Sequence, residues 1–200
     1  KNKTQIVLRY IIPLVILGIL VFFLSKGLEQ DPYRIPSPLI NKPVPDFVAA
    51  DLITTHPPLT KKLFLNRHWS LLVVWSSWCK TCAAEQVFLL TLKQNADLRI
   101  YGLNYRDDLA RAKAYLKHQG NPFHQIIFDP SGLLAIDLGV YGVPENFLID
   151  PQGIIRYKYI GPLNKAIWDK EFIVRMNIPL NKALINPLDK IKKIARKSSL

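Results

Sequence analysis

Residues 70–94 read SLLVVWSSWCKTCAAEQVFLLTLKQ. Ser70 to Trp75 is a continuous apolar run rich in β-branched side chains, the pattern of a strand covered on both faces within a parallel or mixed sheet. Cys79-Lys80-Thr81-Cys82 follows, and Ala83 to Gln94 then carries Val87, Leu90 and Leu92 on a helical background. A strand therefore runs into a Cys-x-x-Cys and on into a helix. Two cysteines so spaced at a helix N-terminus can close a tight disulfide, and the first thiol faces unpaired backbone amides and the positive end of the helix dipole. Thiolate is favoured there, and thiolate is the attacking species. Cys79 is thus expected to attack a substrate disulfide, and Cys82, buried one helical turn in, to resolve the mixed disulfide. Run backwards, the pair would oxidise a substrate dithiol.

These are the only two cysteines, and His56, His68, His118 and His124 show no ligand spacing, so neither half of a zinc site nor any other metal or organic cofactor is expected. The remaining bland reading is two inert buried thiols, and the flanking strand with Trp75 and Trp78 argues against it. Glu85 lies three residues after Cys82, on the same side of the helix. A partly buried carboxylate there would exchange the proton that Cys82 must lose or gain, with its own pKa raised by desolvation. An ordinary first-turn acid favoured by the helix dipole fits the spacing equally well.

Outward from this core, Arg99 to Asn104 reads as a second strand and Asp107 to Gln119 as an amphipathic helix closed by Gly120-Asn121-Pro122. Gln125 to Phe128 reads as a third strand. Phe147 to Asp150 and Ile154 to Tyr159 are two strands joined by Pro151-Gln152-Gly153, and Lys165 to Met176 closes the body as a helix. The order predicts an α/β architecture with helices on both sides of a mixed sheet. Val143-Pro144 stands just before the Phe147 strand, where a cis peptide bond would project backbone toward whatever lies opposite; a trans proline opening a strand is the alternative.

Ahead of the domain, Tyr10 to Leu24 is fifteen residues without a charge, and extending back over Arg9 to Ile6 gives nineteen. At 1.5 Å per residue that is roughly 28 Å, close to the ~30 Å hydrocarbon thickness of a bilayer. Lys1, Lys3 and Arg9 precede the span while Lys26 alone follows closely, which places the N-terminus in the cytoplasm and the rest outside. A cleaved secretory signal is the rival, but Ser25 to Glu29 offers no A-x-A-like site, so an uncleaved anchor is expected. Ser25 to Asp46 carries prolines 32, 36, 38, 43 and 45 and reads as a semi-rigid spacer. The predicted layout is an anchor over 1–24, a linker over 25–46, a folded domain over 47–174 and a basic tail over 175–200.

The charge follows this layout. The chain has 200 residues, 49% hydrophobic and 21% charged, enough apolar material for one real core and too little length for a multidomain machine. Its formal charge is +12, and seven basic residues against Asp189 alone place half of that excess after Met176 or just before it, from Arg175 onward. Within that tail Leu188, Ile191 and Ile194 among lysines could form a short basic amphipathic helix on anionic lipid, against the simpler reading of a solvated terminus. Nucleic acid is not an expected partner for a segment outside the cytoplasm.

Taken together, Trp78-Cys79-Lys80-Thr81-Cys82 after a strand, Glu85, and Gly142-Val143-Pro144 before a strand resemble the thioredoxin fold. The stretches Gly102 to Asp108, Gly120 to Phe123, Phe128 to Gly132 and Asp137 to Glu145 resemble more narrowly the membrane-anchored thiol:disulfide interchange proteins of cytochrome c maturation, the DsbE/CcmG type. The resemblance runs from the anchor to about Phe172. It implies a single-pass inner-membrane protein with its catalytic domain in the periplasm. It also implies a pair kept reduced by a membrane electron donor and used to reduce cysteines of apocytochrome c or of haem-ligation proteins. The family's acid matches Glu85, its cis-proline matches Pro144, and Trp78, Lys80, Thr81, Tyr141, Val143, Pro144 and Glu145 would line the substrate groove. Three departures stand out: Lys80 where the family commonly has proline, a charge that would favour the Cys79 thiolate and make the pair more oxidising, Asn146 where it has threonine, and the tail after about Arg175, which matches nothing in the family pattern. A general periplasmic oxidase or isomerase, and a non-catalytic module that holds apocytochrome, are the rival functions.

Overall fold

The computed structural model describes residues 3–28, 37–54 and 57–176. They form two units, divided at Ile35 and Pro36. The first is one helix, α1 (Lys3–Leu28), with Pro13 inside it and apolar side chains exposed from Tyr10 to Leu24. Among the described residues no helix is long and apolar enough to cross a membrane. The side chains described in α1 run only from Tyr10 to Lys26, so the span read from the sequence, which begins at Ile6, extends outside them. The tail beyond Met176, including the amphipathic stretch expected around Leu188, also lies outside the described residues.

The second unit is built on a seven-stranded sheet. Its strands are β1 (Val48–Asp51), β2 (Leu59–Thr60), β3 (Trp69–Trp75), β4 (Leu98–Tyr105), β5 (Gln125–Asp129), β6 (Glu145–Ile149) and β7 (Ile155–Ile160), in the spatial order β2-β1-β5-β4-β3-β6-β7. The apolar run expected to be covered on both faces is β3, between β4 and β6. It pairs parallel with β4, Leu71 opposite Ile100, and antiparallel with β6, Val74 opposite Glu145. β5 is parallel to β4, while β1 and β7 run antiparallel to their neighbours, so the sheet is mixed as expected.

Strand alternation divides the core between the two faces. Leu71, Val73 and Trp75 join residues of α2 (Lys80–Leu92), α3 (Leu109–Gln119) and the C-terminal helical pieces in one cluster. Those pieces are α5 (Lys165–Ile167), a π-helical stretch (Trp168–Ile173) and α6 (Val174–Met176). Leu72 and Val74 join a second cluster on the other face with Phe64 of a 3₁₀ turn (Lys61–Phe64) and with Leu134, Ala135 and Leu138 around α4 (Leu133–Asp137). Helices thus cover both faces.

Three details differ from the sequence reading. Val87, one of the three apolar residues read on α2, is exposed, and Leu89, not among them, shares that helix's packing with Leu92. β1, β2 and α4 have no counterpart among the predicted elements: β1 (VAAD) and the two-residue β2 lack the apolar, β-branched run that marks the other strands, and α4 is little more than one helical turn. The end of the segment read as a spacer belongs to the packed unit: the Asn41 N–H donates to Ile155 O (2.7 Å), the Ile155 N–H to Lys42 O (2.9 Å) and the Val44 N–H to Gly153 O (3.0 Å). Val44 is 4% exposed, so this stretch contributes to the core as well as to the sheet edge.

Candidate active site

α2 begins at a cysteine. Cys79 is its N-cap residue with extended backbone, and its Sγ accepts the Cys82 N–H at 3.1 Å, satisfying one of the helix's free amides. Cys79 and Cys82 are joined by a disulfide with Cα atoms 5.3 Å apart, and Thr81 Oγ1 lies 3.4 Å from Cys79 Sγ. Both cysteines are buried, at 6% and 3% exposure, and belong to the core cluster beneath the sheet's α2 face. Lys80 and Thr81 between them are exposed, and Trp78 just before them is 55% exposed.

The loop that carries Trp78 and Cys79 is held by the segment after β4. Ser76 Oγ donates to Tyr105 O, and the Trp78 indole donates to Arg106 O at 3.2 Å. Asp107 takes the Ser77 N–H and hydroxyl on its two oxygens (2.5 and 2.7 Å), together with the Asn104 amide and the Asp108 N–H, each at 2.9 Å. Asp108, the actual N-cap of α3, accepts the Arg111 N–H. The two adjacent acids at the head of this helix therefore have separate tasks, and the bracing role of Asp107 had no local signal.

Glu85 is 1% exposed, and neither of its oxygens has a hydrogen-bond partner of good geometry. Burial drives its pKa up to about 8; the Leu163 backbone and the Asn146 side chain favour ionisation, but more weakly. The buried-acid expectation thus fits the geometry better than the exposed first-turn acid. Tyr115 of α3 faces the same region: its pKa is raised by burial first and by the Glu85 charge second, and its ring stacks on Trp75 at 5.3 Å.

The Val143–Pro144 bond is cis. Extending the β3–β6 register by one and two residues places Pro144 and Val143 opposite Trp75 and Ser76, at the sheet end where the cysteine loop leaves β3. Val143 is half-buried and packs against the cluster containing both cysteines, while Tyr141 is 67% exposed. Glu145 departs from the groove-lining expectation. It is fully buried, and its Oε1 accepts the Tyr141 and Gly142 N–H groups at 2.7 and 3.2 Å while its Oε2 lies 2.9 Å from Lys158 Nζ. Its side chain faces inward and ties down the loop. The structure thus brings Cys79, Cys82, Trp78, Val143 and Pro144 to one end of the sheet, with Glu85 below them and Glu145 behind.

Among the described residues no three His, Cys, Asp or Glu side chains gather as a metal site. A concavity of about 400 Å³ beside β1, with Asp51, Leu109, Lys113 and Phe128 in its wall, includes neither cysteine. What the arrangement can do is exchange a dithiol for a disulfide at a helix N-terminus, with an acid of unusual pKa in the dry interior behind it.

Comparison with known proteins agrees. The family model Redoxin matches residues 40–172. The chain is 48% identical over 173 residues to a Pasteurella multocida protein named "Probable thiol:disulfide interchange protein DsbE-2", covering 86% of this chain and 89% of that one. It is 40% identical over 182 residues to the Escherichia coli K12 thiol:disulfide interchange protein DsbE, covering 85% and 92%. The solved structure of a DsbF homologue from Corynebacterium diphtheriae superposes with a TM-score of 0.58 at 20% identity, over 71% of this chain and 92% of that one, a likeness of fold.

Proposed function

Since this chain belongs to the Redoxin family and, within it, to the DsbE thiol:disulfide interchange proteins, we propose that it serves as a periplasm-facing reductant of apocytochrome c, or haem-ligation protein, cysteines. It is a thiol:disulfide oxidoreductase of thioredoxin-like fold. The observation that carries the proposal is the Cys79–Cys82 disulfide at the N-terminus of α2 with Glu85 buried on the same helix.

In the reducing direction Cys79 thiolate attacks a substrate disulfide, forms a mixed disulfide and releases one substrate thiolate. Cys82 then loses its proton to ionised Glu85 and attacks Cys79 Sγ, releasing the second substrate thiolate and closing the disulfide seen here. Two electrons pass to the substrate, and a membrane donor of the disulfide-reductase type returns them. Trp78, Lys80 and Thr81 on one side and Tyr141, Val143 and Pro144 on the other supply the surface a substrate peptide would meet.

The N-terminal segment completes the proposal. Ile6 to Leu24, with basic residues ahead of it, anchors the chain in the inner membrane with the domain outside. The support is its apolar composition and the helical backbone of α1. Carbonate-washed membranes should retain the full chain and lose a chain lacking residues 1–35; a full chain recovered in the wash overturns the anchor.

One observation favours a second reading: Lys80 is an exposed cation next to Cys79 and would bias the pair toward an oxidant. The reduction potential of a fragment starting at Pro36, equilibrated against glutathione or dithiothreitol, separates the two. A value near or below about −200 mV supports the reductant, and one near about −120 mV means the enzyme donates disulfides.

A further inference from the structure

Lys158 is a cation in the interior. Its side chain is 2% exposed and that of its partner Glu145 is 0% exposed, on adjacent antiparallel strands β7 and β6. A buried ammonium is costly unless its charge and its donors are all engaged. Here the charge is paired and one donor is bonded: Lys158 Nζ lies 2.9 Å from Glu145 Oε2, donates to Gly139 O at 2.6 Å, and sits 4.4 Å from the centroid of the Tyr141 ring and 5.5 Å from that of Phe147. A cation within about 6 Å of an aromatic face is attracted by the ring quadrupole, more strongly when it is desolvated.

These contacts converge on one segment, 139–145. Its start is held by the Gly139 carbonyl, its middle by the Tyr141 ring over the ammonium and by the Tyr141 and Gly142 N–H groups on Glu145, and its end by Glu145 in β6. Lys158 is the cation paired with the buried Glu145 side chain. Tyr141 nevertheless keeps 67% of its surface open to solvent, two residues before Val143, which packs against the cysteine cluster.

We infer that Lys158 is a positioning residue for substrate recognition: held by Glu145 and Gly139, its ammonium fixes Tyr141 from beneath as an aromatic platform for the polypeptide flanking the exchanging cysteines. Lys158 touches no substrate. The inference rests on the reading that segment 141–144 faces the substrate, and it is independent of which protein the substrate is. A ligand too small to reach from Cys79 to Tyr141 should not sense it.

The test compares two thiol donors for the oxidised enzyme: glutathione, and a twelve-residue peptide with two cysteines in a Cys-x-x-Cys. In each reaction two thiols become a disulfide and the Cys79–Cys82 disulfide becomes a dithiol, followed by tryptophan fluorescence. For Lys158→Met the ratio of the peptide to the glutathione rate constant should fall about tenfold, and Lys158→Arg should restore most of it. Should Lys158→Met not fold, the pair Glu145→Gln with Lys158→Met leaves no unpaired buried charge and keeps an acceptor for the two amides, and the same fall is expected. A ratio within twofold of the parent in whichever variant folds overturns the inference, as does an equal loss with both donors, which would mark a structural role alone. Failure of the cytochrome reading appears elsewhere, in the reduction potential, and leaves this ratio untouched.

Discussion

The carboxylate of Asp107 holds Ser77 at two points, the backbone N–H at 2.5 Å and the hydroxyl at 2.7 Å, across thirty residues of chain. The same carboxylate accepts from Asn104 and Asp108, so four donors depend on one acceptor. Asp107→Ala should cost about 2–3 kcal/mol in chemical denaturation, because several half-buried donors lose their partner while water replaces some of them. Asp107→Asn, which keeps one acceptor oxygen, should lose about half as much. Since the Trp78 indole rests on the neighbouring Arg106 carbonyl, tryptophan emission should shift in the alanine variant before unfolding begins.

Glu85 gives stability a pH dependence of unusual sign. Its folded pKa of about 8 lies above the ordinary 4.5, so the folded chain binds a proton the unfolded chain has lost at every pH between the two. Stability therefore falls as pH rises through that window and levels off above about 8, by up to about 5 kcal/mol at 1.36 kcal/mol per unit. Glu85→Gln, neutral at every pH, should flatten that slope in denaturation of the oxidised domain. A slope of equal size in the variant would place its source elsewhere. In turnover, the same variant should lose the ionisation near pH 8 and slow the resolving step about a hundredfold, the lower end of the usual span of general-base effects.

The two cysteines should differ in what they trap. Cys82→Ser leaves the attacking thiol and removes the resolving one, so mixed disulfides with substrate should accumulate on Cys79 and survive non-reducing electrophoresis. Cys79→Ser should trap none and should reduce exchange to background. It should also fail to complement a deletion strain; complementation by that variant would mean a binding module.

Gly102 lies in β4, paired with Val73 and Ile126, where a Cβ would come within 2.8 Å of Trp75 Nε1 and 3.2 Å of the Phe123 ring. Trp75 cannot move aside easily, being 2% exposed and stacked between Tyr115 and Phe123. Gly102→Ala should therefore destabilise the domain by about 1–3 kcal/mol, as overpacking does in a filled core. Its thermal midpoint should drop accordingly. Because Trp75 immediately precedes the loop to Cys79, the glutathione exchange rate should change in the same variant.

Much of the site was legible because its chemistry is local. Ser70 to Trp75 announces a doubly covered strand, and Cys79 and Cys82 sit one turn apart at the start of the next helix, so strand, nucleophile and resolving thiol lie within thirteen residues. The short strands β1 and β2 and the five-residue α4 carry no apolar run or period to read, and because α2 has apolar residues around its circumference nothing marked Val87 as an exposed one. The alternation Arg156-Tyr157-Lys158-Tyr159 puts lysine and tyrosines on opposite faces of β7 without saying which face is dry. Glu145 read as a groove residue because the family resemblance covers the whole stretch Tyr141 to Glu145, and nothing in its neighbourhood marks the inward turn of its side chain.

The amino-acid order settled the redox pair, its place between a buried strand and a helix, and the alternation of strands and helices, since each depends on residues a few positions apart. The partners of the charges were settled by the sheet. Antiparallel pairing of β6 with β7 sets Glu145 beside Lys158, and the path from β4 into α3 carries Asp107 beneath Ser77. The raised pKa of Glu85 arises in the same way, from burial that keeps water from one helical carboxyl and outweighs the opposing Leu163 backbone and Asn146 side chain. Desolvation and ion pairing act through space, and spacing along the chain carries no record of them until the strands have found their neighbours.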